Sequence, residues 1–266
     1  MKALGFLRRN FEHGVHPAHH KEQTEDLPIQ RVPFGQHYVM PLGQHIGVPA
    51  RAVVTEGQRL QRGQLIAEPG GFVSTALHSP VTGTVTRIGD FRGVDGRFAP
   101  AIGIEADPFA TQEVDPVPPM NWQALALDEF ISAVQQAGIV GMGGAAFPSH
   151  VKLSVPEGIT IEKLLINGAE CEPYISCDEM LMRERPASIV LGAQILQRAV
   201  GARRTVIAIE DQMGAVRRAL EAALREADAD DIDIVQVTAI YPEGGEKQLV
   251  QVLTGLEVPS GGRPTD

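Results

Sequence analysis

Three mostly apolar runs of β character punctuate the second half of this chain: "KLLIN" at 163–167, "RTVIAIED" at 204–211 and "DIDIVQVTAIYPEG" at 231–244. Between and after them lie segments whose apolar residues repeat at helical spacing. These are "PASIVLGAQILQRAVGA", stopped by Gly201, "MGAVRRALEAALREAD", and "GEKQLVQVLTG". An apolar strand must be covered on both faces, and a helix between two strands brings them together in parallel. The alternation therefore predicts a layered α/β domain with a largely parallel sheet. In such sheets ligands bind at the carboxyl ends of the strands.

Upstream, residues 31–107 change character. Short β-like runs, "HYVMPL", "ARAVV", "QLIAE", "GTVTRIG" and "AIGIEA", are broken by Gly and Pro, which predicts an all-β module. "VVTEGQRLQRGQLIAE" followed by "LHSPVTGTVTRI" resembles the barrel-sandwich hybrid of biotinyl and lipoyl carrier domains. Carriers modify a lysine at a hairpin tip. "GGFVSTALHSP" has no lysine, so the module reads as structural. Residues 108–124 hold four prolines and read as an extended linker. Helical spacing resumes at Leu127, Phe130, Ile131, Val134 and Ile139, with Gly138 as a stop. The expected division is a polar extension at 1–30, a β domain at 31–110, a linker at 111–126, an α/β domain at 127–256, and the truncated start of a further domain at 257–266.

The first 30 residues are polar and carry His13, His16, His19 and His20. Clustered imidazoles suit a metal, but the spacing fits no ligand template. The segment reads instead as a tail that packs on a neighbour. The net charge of -10 disfavours nucleic acid. No apolar run reaches the roughly 18–20 residues of a spanning helix. Arg8 and Arg9 stand where a signal peptide has its apolar core, so the chain reads as cytoplasmic. Two cysteines, Cys171 and Cys177, build neither a disulfide framework nor an all-cysteine metal site.

The stretch "GMGGAAFPSHVK", 141–152, satisfies the loose G-x-G-x-x-A dinucleotide pattern. It fails as a Rossmann signal because it follows a helix, and Phe147 and Pro148 interrupt the helix that should come next. It retains a phosphate-binding logic. Gly141, Gly143 and Gly144 permit a nest of exposed N–H groups, Lys152 adds charge, and Phe147 offers a flat face. A tight turn with a solvated Lys152 is the alternative. Two more clusters follow strands. "INGAECEPYISCDE" brings Asn167, Glu170 and Glu172; "IYPEGGEKQL" brings Gly244, Gly245 and Glu246 at a helix N-terminus. Their bland readings are a solvated acidic turn and a plain strand-to-helix turn. The three loops are placed to converge on one crevice.

"GIVGMGGAAFPSHVKL", "LLINGAECEPYISCDEMLM" and "YPEGGEKQLVQVLTGLEVPSGGRPTD" resemble the RnfC family, one subunit type of an ion-translocating ferredoxin:NAD oxidoreductase at the bacterial cytoplasmic membrane. The α/β part is in turn similar to the flavin subunit of respiratory complex I. The resemblance implies an N-terminal barrel-sandwich hybrid followed by a Rossmann-like α/β domain of that flavin-subunit type. It implies non-covalent FMN on Gly141, Gly143, Gly144, Lys152, Asn167 and Glu170. It implies NAD(H) near Phe147, Glu172, Gly245 and Glu246, with hydride chemistry carried by the cofactor and no catalytic side chain. It further implies other membrane-complex subunits as partners, ferredoxin indirectly, and a peripheral place on the cytoplasmic side of the inner membrane. The family's [4Fe-4S] clusters would be held downstream, since Cys171 and Cys177 match no cluster motif. Met142, Ala146 and Ala169 depart from the flavin subunit's Arg, Gly and Asp. Two other readings stay open. One is a non-catalytic scaffold like the related component of the sodium-pumping NADH:quinone reductase. The other is a cobalamin reductase of bacterial microcompartments.

Overall fold

A computed structural model describes residues 11, 13–116, 118, 120–142 and 146–262. The chain forms two compact units, Val32–Val155 and Met1–Arg31 with Pro156–Asp266.

In the first unit, β1 (His37–Pro41), β3 (Arg59–Leu60), β6 (Gly83–Arg92) and β7 (Phe98–Ala106) form an antiparallel sheet in the order β1-β7-β6-β3. A second sheet orders β2 (Arg51–Ala52), β4 (Leu65–Glu68) and β5 (Leu77–His78) as β2-β4-β5. Ile66, Val81, Val85, Ile102 and Ile104 fill the core and are at most 1% exposed. Strands β6 and β7 outrun the expected boundaries because they pair with each other along their whole length. Strands β2, β4 and β5 stay short. Pro49, Pro69 and Pro80 stand just outside them, and a residue without an N–H cannot extend a ladder.

Helix α1 (Leu127–Gln136) starts where Glu129 Oε2 accepts the Ala126 N–H at 3.1 Å. Short α2 spans Ser149–Leu153. Together they hold the β4–β5 connection, the place where a carrier domain keeps its modified lysine. Gln135 donates its side-chain amide to the carbonyls of Gly71 and Ser74 at 3.3 and 3.0 Å. Its own backbone carbonyl accepts the Ala76 N–H at 3.2 Å. The buried imidazole of His150 meets the Phe72 carbonyl at 2.6 Å. A tip tied at four points does not swing, so the structural reading of this module gains a physical basis.

In the second unit, β8 (Lys163–Gly168), β9 (Arg204–Glu210) and β10 (Ile232–Val237) pair in parallel with β9 at the centre. Helices α3 (Cys177–Glu184) and α4 (Pro186–Val200) join β8 to β9, α5 (Gly214–Glu226) joins β9 to β10, and α6 (Glu246–Thr254) follows. The unbroken apolar run of β9 serves two layers. Ile207 and Ile209 pack with Val190 of α4 and with Val216 and Leu220 of α5. Ala208, between them, packs with Leu249, Val252 and Leu253 of α6. Period-two alternation thus sends successive side chains to opposite covering layers.

Two elements of this second unit differ from the sequence reading. The third strand stops at Val237, not at residue 244. Beyond it Tyr241 exchanges backbone hydrogen bonds with Val15, at 2.8 and 2.9 Å, and Pro242 cannot continue a ladder. Helix α3 is absent from the sequence reading although Ser176 and Glu179 stand at capping-box spacing and Asp178 and Glu179 lie in its first turn; the side chain that caps it is that of Glu170.

The histidine-rich N-terminal segment, expected to pack on a neighbour, packs on this unit of its own chain. The His19 carbonyl accepts the Tyr174 N–H at 2.8 Å, and His20 stacks on Tyr174 with ring centroids 5.0 Å apart. Thr24 and Ser176 share a hydroxyl hydrogen bond of 2.8 Å. Arg183 donates to the carbonyls of Glu25 and Leu27, and Glu184 Oε1 accepts the Ile29 N–H at 2.9 Å. No helix among the described residues is long and apolar enough to cross a membrane.

Candidate functional site

The residues expected to bind cofactor and nucleotide fall into two groups, one in each unit.

The first group is the glycine-loop region. Its ends are closed by the Gly141 N–H on the Phe147 carbonyl at 2.8 Å and the Ser149 N–H on the Ile139 carbonyl at 3.0 Å. Val140 and Pro148 form an antiparallel bridge between these bonds. Lys152 is exposed on α2, and its Nζ stands 5.9 Å from the centre of the Phe147 ring. Gly141, Phe147 and Lys152 are therefore neighbours, joining an aromatic face to an exposed positive charge. Gly143 and Gly144 lie outside the described residues. Ala146 adopts φ +45, the left-handed region that disfavours an L side chain. Ala146→Gly is expected to raise stability by about 0.5–1 kcal/mol, the relief of strain less the extra freedom of the unfolded glycine. Urea denaturation of this variant beside the parent checks it.

The second group sits at the carboxyl ends of the parallel strands. Asn167, near the end of β8, is exposed and links two loops. Its Nδ2 donates to the Gly244 carbonyl at 2.8 Å, and its Oδ1 accepts the Ala169 N–H at 3.1 Å. Gly244 donates its N–H to Cys171 Sγ at 3.3 Å. A side chain on Gly244 would meet the Ala169 carbonyl at 3.0 Å, a contact tight enough to favour glycine. Gly245 caps α6, and Glu246 opens that helix, exposed. Glu172 is also exposed. Asn167, Glu172, Gly245 and Glu246 thus stand on loops tied together by Asn167 and Cys171.

Glu170 is different. It is 3% exposed and its carboxylate turns inward to cap α3. Oε1 accepts the Asp178 N–H at 2.9 Å and the Cys177 thiol at 3.2 Å; Oε2 accepts the Glu179 N–H at 3.3 Å. A negative charge at a helix N-terminus is stabilised there. The Glu170 carbonyl accepts Lys21 Nζ at 2.5 Å. What Glu170 offers a ligand is therefore the placement of its loop.

Behind these loops lie acids that sequence reading passes over. Glu210 ends β9 at 1% exposure, and Glu243 lies in the loop after β10 at 0%. Among the described residues both Glu243 oxygens and Glu210 Oε1 have no hydrogen-bond partner, while Glu210 Oε2 accepts Gln212 Nε2 at 2.5 Å. Burial, then the neighbouring Glu210, pushes the Glu243 carboxyl up to about 7. Burial also raises Glu210, opposed first by the charge of Lys21 and then by hydrogen bonds from Gln212 and the Glu170 backbone. Burial raises both thiols, so neither is a ready nucleophile. Glu210 and Glu243 carry a visible signal, an acid at or just beyond the end of a predicted strand. Lys21 carries none.

Residues 134–266 match the Nuo51 FMN-binding domain, and residues 9–108 match the RnfC barrel sandwich hybrid domain. The chain belongs to the Nuo51 FMN-binding domain family, and nearly all of it is similar to RnfC-type proteins. Among RnfC relatives, the C subunit of the ion-translocating oxidoreductase complex of Pseudomonas aeruginosa is 46% identical over 250 residues, covering 92% of this chain and 32% of its own length. The C subunit of the proton-translocating ferredoxin:NAD(+) oxidoreductase complex of Clostridium ljungdahlii is 38% identical over 261 residues, covering 98% of this chain and 56% of its own. The chain thus spans between a third and just over half of these RnfC sequences. A solved NAD+-reducing [NiFe]-hydrogenase is 28% identical across 49% of this chain and 24% of its own, with a TM-score of 0.44. The two matched families agree with the expected order, a barrel-sandwich module before a domain of the flavin-subunit type.

Proposed function

We propose that this chain is the flavin- and NAD(H)-binding part of an RnfC-type protein, exchanging hydride between NAD(H) and non-covalently held FMN. The observation that carries the reading is the match of residues 134–266 to an FMN-binding domain family, laid on residues whose chemistry suits the group. Lys152 supplies an unburied positive charge for a phosphate beside the Gly141 backbone, and the Phe147 ring supplies a stacking face. Asn167 keeps one amide hydrogen and oxygen lone pairs free for a polar ring edge after its two loop bonds are made. The N-terminus of α6, with Gly245 at its cap, presents N–H donors, and the exposed carboxylates of Glu172 and Glu246 accept from hydroxyl or carboxamide groups. Gly143, Gly144 and Glu170 complete the assignment, Glu170 through the loop it anchors. When bound, the flavin takes up hydride; the side chains named here bind and orient. Other subunits of a membrane electron-transport complex, iron-sulphur clusters and, through them, ferredoxin are the proposed partners, at the cytoplasmic face of the membrane.

The test is anaerobic. The chain is incubated with FMN, freed of excess flavin and mixed with NADH while flavin absorbance is followed. Retained flavin that bleaches promptly is expected. Lys152→Ala is expected to weaken FMN binding about tenfold, the worth of one charge-assisted phosphate contact at an exposed site. Retained flavin without bleaching would remove NAD(H) from the reading, and no retained flavin would sink it.

A further inference from the structure

We propose that Lys21 of the N-terminal segment is a positioning residue of the flavin site, holding the Asn167–Glu172 loop in register through the carbonyl of Glu170. This rests on the FMN reading above and adds to it a segment that lies outside the residues matched to the FMN-binding family.

Lys21 is 5% exposed, and its ammonium bonds a backbone group 149 residues away in sequence. A buried ammonium is expensive, and a methionine of similar length would fill the same space without that penalty. Packing alone therefore does not explain a lysine. It provides two things that methionine lacks: a donor for the Glu170 carbonyl, and a positive charge among Glu179, Glu210 and Glu170.

The donor matters because of where Glu170 stands. It is three residues after Asn167 and two before Glu172, the groups assigned to flavin and nucleotide. Its carboxylate is already fixed on α3 by the Asp178 and Glu179 N–H groups. Lys21 fastens the carbonyl of the same residue. With it in place, the peptide at 170 has one orientation, and Asn167 and Glu172 are set on either side.

Lys21 is itself held from both directions. Upstream, Val15 pairs with Tyr241; downstream, Thr24 bonds Ser176 and the carbonyls of Glu25 and Leu27 take Arg183. The segment spans the loops after β8 and β10, the same two loops that Asn167 ties together. Its residues thereby become a built part of the sheet's carboxyl edge.

The charge of Lys21 and its hydrogen bond are separable. Lys21→Met strands the buried charge of Glu210 and is expected to lower the melting temperature. Adding Glu210→Gln removes that charge, so the double variant is expected to melt near the parent. The Glu170 carbonyl still lacks its donor. FMN affinity in the full 266-residue chain, read by quenching of flavin fluorescence, should therefore stay about tenfold weaker in the double variant, one lost buried hydrogen bond's worth. The visible circular dichroism of saturating bound FMN should change too, since it reports ring orientation. A double variant that matches the parent in melting, FMN affinity and dichroism would overturn the proposal and leave Lys21 a balancing charge. If the parent chain itself retains no FMN, the proposal falls together with the reading it rests on. Those two failures are told apart by the parent alone.

Discussion

Gly138→Ala is expected to destabilise the Val32–Val155 unit by about 3 kcal/mol, and Gly57→Ala in the same unit by no more than about 1 kcal/mol. Both glycines have positive φ, +72 and +79. An L residue in that region costs about 1–2 kcal/mol, offset in part by about 0.4–1 kcal/mol from a stiffer unfolded chain. The two positions differ in what a side chain would meet. At Gly57 nothing lies within 4 Å. At Gly138 a Cβ would sit 2.5 Å from the carbonyl oxygen of Ala76. That is a new side-chain atom against backbone, so no rotamer relieves it and the end of α1 must move away, at a further cost of about 1–3 kcal/mol. The movement also strains the bond from the Ala76 N–H to Gln135 and reaches residue 139, which begins the glycine-loop region. Urea unfolding followed by the fluorescence of Trp122, the chain's single tryptophan, measures both variants. Equal losses would mean that the close approach of α1 to the β4–β5 connection does not matter.

Gly138 also shows what sequence alone conveys. Its role as a helix stop follows from apolar spacing and a glycine arriving on cue; its contact with Ala76, far earlier in the chain, does not. The same division runs through the whole chain. Strand β9 reads correctly because burial on two faces leaves an apolar run that no other local structure explains. Helices α4 and α6 read correctly because Gly201 and Gly255 end them in the left-handed conformation. Helix α3 is only eight residues long, so its apolar spacing is weak and the capping-box pair Ser176 and Glu179 is easily passed over; that Glu170, seven residues before its first residue, is the actual cap is not readable from a local motif. The third strand reads too long because "TAIYPEG" keeps apolar residues whose partner is not a sheet but Val15. Of the candidate site, Asn167, Glu172, Gly245 and Glu246 are legible as polar or flexible residues at or after strand ends. Lys21 is not, since a lysine in a histidine-rich polar segment looks like every solvated lysine until the fold buries it.

Glu243→Gln is expected to leave stability nearly unchanged at pH 5 and to raise it by up to about 3 kcal/mol at pH 8. Glu243 is wholly buried, with neither oxygen hydrogen-bonded among the described residues, and it lies beyond the carboxyl end of β10 beside Glu210, the last residue of β9. A carboxylate so placed is costly, so the folded protein prefers the neutral acid and the group's value rises from 4.5 to about 7. The direction of the linkage follows. Between those two values the unfolded chain has released this proton and the folded chain has kept it, so stability falls as pH rises through the window. Above about 7 the loss is complete. A full shift of this size corresponds to about 3 kcal/mol at about 1.4 kcal/mol per pH unit. Other groups press on the same pair. Lys21 acts on Glu210 in the opposite sense, Gln212 donates to it, and the Glu170 backbone does the same. These oppose the rise that burial imposes on Glu210, while the Glu210 carboxylate adds to the burial that raises Glu243. Glutamine preserves the shape, carries no charge at any pH, and offers Glu210 a donor where the acid offers only its proton. Chemical denaturation of parent and variant at half-unit steps from pH 5 to pH 8 reads the difference directly. Parallel stability curves would show that Glu243 does not titrate on folding. A gap that opens toward low pH would reverse the sign and place the cost of this pair on the protonated form.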